Sequence, residues 1–189
     1  MAGAFEIVDE YNVTSAVAEV ILGAGSSGSS GLNASIDSTY DTYFVTGSGI
    51  VHSSGGSAQY CLLRWTVGGS EDLTANTKQW AQRSMRSDTT NEYRWYTSNY
   101  TELTLQDGGA EAPGENSCFY LYLNTFPESS VGSMITVHSV IDQFDGVKAH
   151  SRLGGAGDMT KQACDGIKIF GNSSTTFVSG TFRLFGLAK

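Results

Sequence analysis

The stretch Gly23-Ala24-Gly25-Ser26-Ser27-Gly28 fits the pattern G-x-G-x-x-G and follows a strand-like run, SAVAEVIL. Such glycines cradle a dinucleotide's pyrophosphate only where a helix opens at their end and turns its first amides on the phosphates. The residues that follow, SSGLNASIDSTYDTYF, are poor in helix formers, so the glycines read as a flexible turn. His52, His138 and His150 are far apart, and neither HExxH nor Cys-x-x-Cys occurs. No metal or other cofactor is expected. A G-x-S-x-G elbow and a phosphate-loop lysine motif are also missing. Carboxylate pairs such as Glu71-Asp72 fall in turns, where solvated charge is their ordinary role. Nothing favours two carboxylates converging across a cleft, as glycoside hydrolysis requires. The expectation is a protein that is not an enzyme.

Binding character concentrates in KQWAQRSMRSDTTNEYRWYTSNY, residues 78–100. Aromatic faces beside arginine and asparagine suit sugar rings or protein surfaces. Trp80, Arg83, Trp95 and Tyr96 are the candidate binding residues. The alternative keeps Trp95 and two of the tyrosines in the core and leaves the arginines in solvent.

The elements that must position these residues read as strands. CFYLYLNTF (118–126) sends Phe119, Leu121 and Leu123 one way and Tyr120 and Tyr122 the other. AQYCLLRWTV (58–67) places Cys61, Leu63, Trp65 and Val67 on one face, and MITVHSVIDQF (134–144) alternates through Ile135, Val137, Ser139 and Ile141. The chain closes on what reads as a hairpin, GIKIF (166–170) and TFRLFGL (181–187). In its last strand Phe182 and Leu184 oppose Arg183, Phe185 and Leu187, so both faces are largely apolar. Such a strand belongs inside a sheet or under a neighbouring subunit. Turns are expected at SSGG (53–56), in the acidic DGGAEAPGENS loop (107–117) and at Asp145-Gly146. Residues 73–86 hold the one candidate helix, with a poor stripe through Leu73, Thr77, Trp80 and Ser84; a long loop fits as well. At the front, residues 1–22 form either a first hairpin or a docking arm. Residues 23–37 are a Gly/Ser-rich turn or linker, with the turn preferred, and 38–189 are the main domain. The spacing of about nine or ten strands without a βαβ rhythm implies an all-β sandwich or barrel.

Composition agrees. With 189 residues the chain suits one domain. Its 23 glycines against two prolines fit many tight turns between short strands. A net charge of −8 excludes a nucleic-acid binder, which needs clustered cations. No apolar run approaches the ~20 residues of a membrane helix, so no membrane partner is expected. MAGAFEIVDEYN lacks a basic start and an apolar h-region, so no signal peptide is expected and synthesis is placed in a cytosol. Cys61 and Cys118 lie in strand-like runs, where a free cysteine behaves as a small buried hydrophobe. The first basic residue is Arg64, preceded by Glu6, Asp9, Glu10, Glu19, Asp37 and Asp41, whereas basic residues outnumber acids after Ser139. This asymmetry either helps subunits dock or is a fluctuation of small numbers.

Three segments carry a resemblance. YDTYFVTGSGIVHSSGGSAQYCLLRWTVGG (40–69), FYLYLNTFPESSVGSMITVHSV (119–140) and the closing GIKIFGNSSTTFVSGTFRLFGLAK (166–189) resemble, in order, recurring segments of bacteriophage virion structural proteins. The ending matches best, as I-x-I-F, a loop, F-x-S-G, then T-F-x-L-F-G-L. The resemblance implies an antiparallel β-sandwich of jelly-roll type, in a tail fibre, tail appendage or capsid decoration protein of the virion. It implies other virion proteins as partners and a homo-oligomer, a trimer before other stoichiometries. It has no catalytic residues to carry over. Host-surface glycan is a further candidate partner, through the four residues named above. The 70–100 segment and the front arm depart from the pattern and are candidates for partner-specific surfaces.

Overall fold

The computed structural model describes residues 4–53, 61–74, 78–86, 92–106, 116–143, 148–158, 161–172 and 175–187. The turns expected at 54–56, 107–115 and 145–146 lie outside the described residues. Among the described residues thirteen strands are present: β1 (Phe5–Asn12), β2 (Glu19–Gly23), β3 (Thr42–His52), β4 (Cys61–Val67), β5 (Ser70–Glu71), β6 (Lys78–Arg86), β7 (Glu92–Tyr100), β8 (Leu103–Gln106), β9 (Ser117–Asn124), β10 (Met134–Gln143), β11 (Lys148–Asp158), β12 (Gly166–Gly171) and β13 (Phe177–Leu187). They form an eight-stranded sheet ordered β1-β13-β3-β9-β10-β11-β6-β7 and a five-stranded sheet ordered β2-β12-β4-β5, in which β8 also pairs with β4. All pairings are antiparallel.

The two sheets close on one apolar core. The large sheet contributes Tyr43, Val45, Ile50, Phe119, Leu121, Leu123, Ile135, Val137, Phe177, Phe182 and Leu184; the small one contributes Val20, Leu22, Cys61, Leu63, Trp65, Leu103, Leu105, Ile167 and Ile169. Each strand supplies alternate residues, which is the signature of a layer with one face inward. Trp65 is fully buried and stacks on Phe126 with ring centroids 6.0 Å apart. Side chains also tie the layers by polar contact: Ser139 Oγ donates to the Leu105 carbonyl at 2.8 Å, and Gln82 Nε2 donates to the Thr104 carbonyl at 2.5 Å. Both are buried, so these bonds satisfy groups that would otherwise destabilise the core.

Two expected hairpins are not hairpins. The closing runs β12 and β13 lie in different sheets, β12 between β2 and β4, β13 between β1 and β3. The opening runs divide in the same way, β1 pairing with β13 and β2 with β12. The chain therefore begins and ends interleaved. Between β1 and β2 the acidic front meets the basic back of the same chain: Glu10 pairs with Arg183, and Glu19 with Lys168. The last strand does lie inside its sheet.

The candidate helix is a strand. β6 alternates, with Gln82 buried and Trp80 half-buried between the exposed Gln79, Ala81 and Arg83, and it bonds to β11 and β7. Pairing on both edges overrides a weak helical stripe, because local propensity is small beside a ladder and a buried face. Cys118 is a second correction. It is exposed, because it shares the outward parity of Tyr120 on β9 rather than the inward parity of Phe119.

The G-x-G-x-x-G stretch forms a single 3₁₀ turn, Gly25–Ser27, with Gly23, Ala24 and Gly25 all at positive φ. No α-helix follows it among the described residues. The turn is pinned by Ala24 N–H to the Asp165 carbonyl (2.8 Å), Gly25 N–H to the Ala34 carbonyl (2.8 Å) and Gly23 N–H to Asp9 Oδ2 (2.9 Å).

Candidate interaction face

The outer face of the eight-stranded sheet is built row by row from its register. One row runs Ile7, Phe185, Phe44, Tyr122, Thr136, Gly155, Ala81 across β1, β13, β3, β9, β10, β11 and β6. The next runs Glu10, Arg183, Thr46, Tyr120, His138, Leu153, Arg83 over the same strands. A third carries Phe5 opposite Leu187, then Thr42, Asn124, Met134, Gly157 and Gln79. Directly opposed side chains in antiparallel strands stand close enough to touch, so the rows become ladders.

The aromatic rings form a continuous cluster. Phe44 is its centre, with ring centroids 5.3 Å from Phe5, 6.0 Å from Phe185, 6.0 Å from Tyr120 and 4.8 Å from Tyr122. Tyr120 meets the His138 ring edge-on at 5.0 Å. His138 is held at both nitrogens, Nδ1 2.8 Å from Tyr120 Oη and Nε2 3.0 Å from Ser151 Oγ. These side chains are not buried within the chain: Ile7 is 62% exposed, Phe5 51%, Leu153 48%, Tyr120 44% and Tyr122 36%. The first and third rows contain no ionisable side chain other than tyrosine, and the second contains the Glu10–Arg183 pair at one end and Arg83 at the other.

The outer face of the small sheet is the opposite in character. Arg64 donates to Glu71 and Glu102, each at 2.7 Å, while Lys168 pairs with Glu19 and, at 2.5 Å, with Glu71. The Arg64 guanidinium lies 4.6 Å from the centre of the Phe170 ring. Partial burial pushes the Glu71 carboxyl up, but the bonds from Lys168 and Arg64 outweigh it and hold the group below the usual range.

Of the four residues singled out by sequence, Trp80 and Arg83 do not share a face. Trp80 is half-buried and packs against the core, whereas Arg83 is exposed on the outer face, so three positions along β6 separate them to opposite sides. Trp95 is registered opposite Gln82 and Tyr96 opposite Ala81; the side chains of both lie outside the described residues. Neither protein-family models nor curated proteins match this chain. Of the histidines, His52 is buried against Phe177 with centroids 5.1 Å apart, and burial pushes its pKa down to about 4. Cys61 is fully buried, and desolvation pushes its thiol up. Among the described residues no group of three or more His, Cys, Asp or Glu is placed to hold a metal ion.

Alternation in the sequence puts Tyr120 and Tyr122 on a common face, opposite Phe119, Leu121 and Leu123, and Phe185 on the second apolar face of the last strand. It does not connect them to Phe5 and Phe44. Period-2 alternation gives faces but not neighbours, and the cluster exists only because β13, β3 and β9 are adjacent.

Proposed function

We propose that the chain is a structural component of a tailed bacteriophage particle, a tail fibre or tail appendage protein acting in host attachment, which works by docking rather than by catalysis. The observation that carries docking is the exposed aromatic face centred on Phe44. Phe5, Tyr120 and Tyr122 are large, stiff and contiguous, and solvent-exposed aromatic patches of this kind mark interaction sites. The virion setting rests on the sequence resemblance of residues 40–69, 119–140 and 166–189.

We further propose that the sandwich is a jelly roll. With β5, β6, β7, β10 and β11 set aside, the order β1-β13-β3-β9 in one layer faces β2-β12-β4-β8 in the other. First pairs with last and second with second-last, as when one long antiparallel ribbon is rolled up. The strands set aside widen the large sheet beyond β9 and carry the 70–100 segment. A homo-oligomer, with three copies preferred, is the proposed assembly.

The deciding experiment is electron microscopy of particles lacking the gene. Lost tail appendages support this reading. A bald or fragile head would instead support the second one, a capsid decoration protein. Intact, infectious particles without the protein would exclude both. Glycan binding through Trp80, Arg83, Trp95 and Tyr96 has weaker support, because Trp80 and Arg83 face away from each other.

A further inference from the structure

We infer that the outer face of the eight-stranded sheet is covered by a second copy of this chain. The inference rests on the docking role proposed above and names its partner. Two observations choose the occupant. The first is charge. At a net charge of −8 two copies repel unless they meet where each is neutral. The small sheet presents Glu19, Arg64, Glu71, Glu102 and Lys168 on its outer side. On the large sheet the rows through Phe44 and Met134 present no acid, and the acid of the row through Tyr120, Glu10, is already paired with Arg183. A basic partner would gain nothing on this face and would seek the acidic surfaces elsewhere. A like-charged copy can approach here without repulsion.

The second observation is extent. From β1 to β6 the face spans roughly 29 Å at ~4.8 Å per strand, and three rows span about 20 Å along the strands. That is about 600 Å², close to the roughly 800 Å² each partner contributes to a stable protein–protein contact. The apolar strip also runs off the face onto the edge strand β1, where Ile7, the most exposed member of the rows, and Phe5 both stand. Covering it protects the unpaired side of β1 together with the rings.

The test is the solution mass of the full chain by light scattering over a dilution series, for the native protein and for Ile7→Glu, Tyr122→Glu and their combination. Leu32→Glu, at a residue 66% exposed in the loop after β2, is the control. The expected result is one oligomeric mass for the native chain and Leu32→Glu, and the monomer mass for the double variant, still folded and melting in one cooperative transition at a midpoint lowered by the lost association. A native monomer at every concentration, or a double variant of undiminished mass, overturns the inference. Rebinding to particles that lack the protein separates the two levels. If a monomeric native chain rebinds and the double variant does not, the face serves a different virion protein; the docking role then stands and the second-copy inference falls. If no form rebinds and all are monomeric, both fall.

Discussion

Single residues set how this protein responds to pH. His52 is buried at the end of β3 against Phe177, and its Nδ1 has no hydrogen-bond partner. Burial alone drives its pKa from 6.5 down to about 4. Between those values the imidazole is neutral in the fold and protonated in the unfolded chain. The unfolded state then binds more protons, so stability falls as pH drops from 6.5 towards 4. A shift of that size corresponds to about 3 kcal/mol at the acid end of the window. Urea midpoints measured from pH 7 to pH 4 should therefore fall more steeply for the native chain than for His52→Leu. Parallel curves would remove His52 as the cause. Glu71 acts in the same direction at lower pH. Its carboxyl is held below the ordinary value, so the stability it contributes is present above pH 4.5 and is lost as it protonates. Glu71→Gln leaves Arg64 and Lys168 short of a shared partner, and about 1–3 kcal/mol of destabilisation is expected at pH 7 by thermal or chemical melting. No change in midpoint would reduce the cluster to solvated surface charge.

At the level of elements, close packing leaves little freedom where the strands cross. A Cβ added to Gly166 on β12 would lie 2.5 Å from Ala24 N and 2.7 Å from the Leu22 carbonyl oxygen, both backbone atoms. Backbone held by two ladders cannot yield cheaply, so Gly166→Ala should cost at least the ~1–3 kcal/mol typical of overpacking. An unchanged denaturation midpoint would show that β2 can move away. In the strongly alternating strands the inward residues were readable from the sequence, because alternation survives in any partner arrangement: Leu63 and Trp65, Phe119 and Leu121, Ile167 and Ile169 are all buried. Which strands are neighbours was not readable. Nothing in GIKIF or TFRLFGL distinguishes a hairpin from two strands in opposite layers, and the loop between them permits either. The same gap hid the candidate face. Phe5 and Phe185 are 180 positions apart in sequence, yet their rings lie 6.1 Å apart because β1 closes on β13. The residues around Trp80 show a different limit. Their aromatic and arginine content resembles a binding site, but a strand sends positions 80 and 83 to opposite sides.

On the scale of the whole molecule, the interleaving of first and last strands decides whether residues 1–22 can be an arm. An arm is dispensable to the domain it leaves. Here β1 covers one edge of β13, and β2 covers one edge of β12. Val20 and Leu22 are fully buried in the common core, and Asp9 is buried with its carboxylate holding the Gly23 amide. Removing residues 1–22 would strip both layers of an edge strand, open the core beside Ile167 and Ile169, and release the turn at 23–31. Removing residues 181–189 would take Phe182 and Leu184 from the same core and leave β1 and β3 without their shared partner. Loss of buried residues of this size typically costs 2–5 kcal/mol each, and marginal stability leaves only about 5–15 kcal/mol to lose. Both truncations should therefore yield no soluble, cooperatively unfolding protein. They should fail alike, because each end is held by the other. A 1–22 deletion that stays soluble and melts in one transition would mean that β12 and β13 close the sandwich unaided. The front strands would then be free to dock elsewhere, and the proposed second-copy contact would lose the Phe5 and Ile7 end of its face.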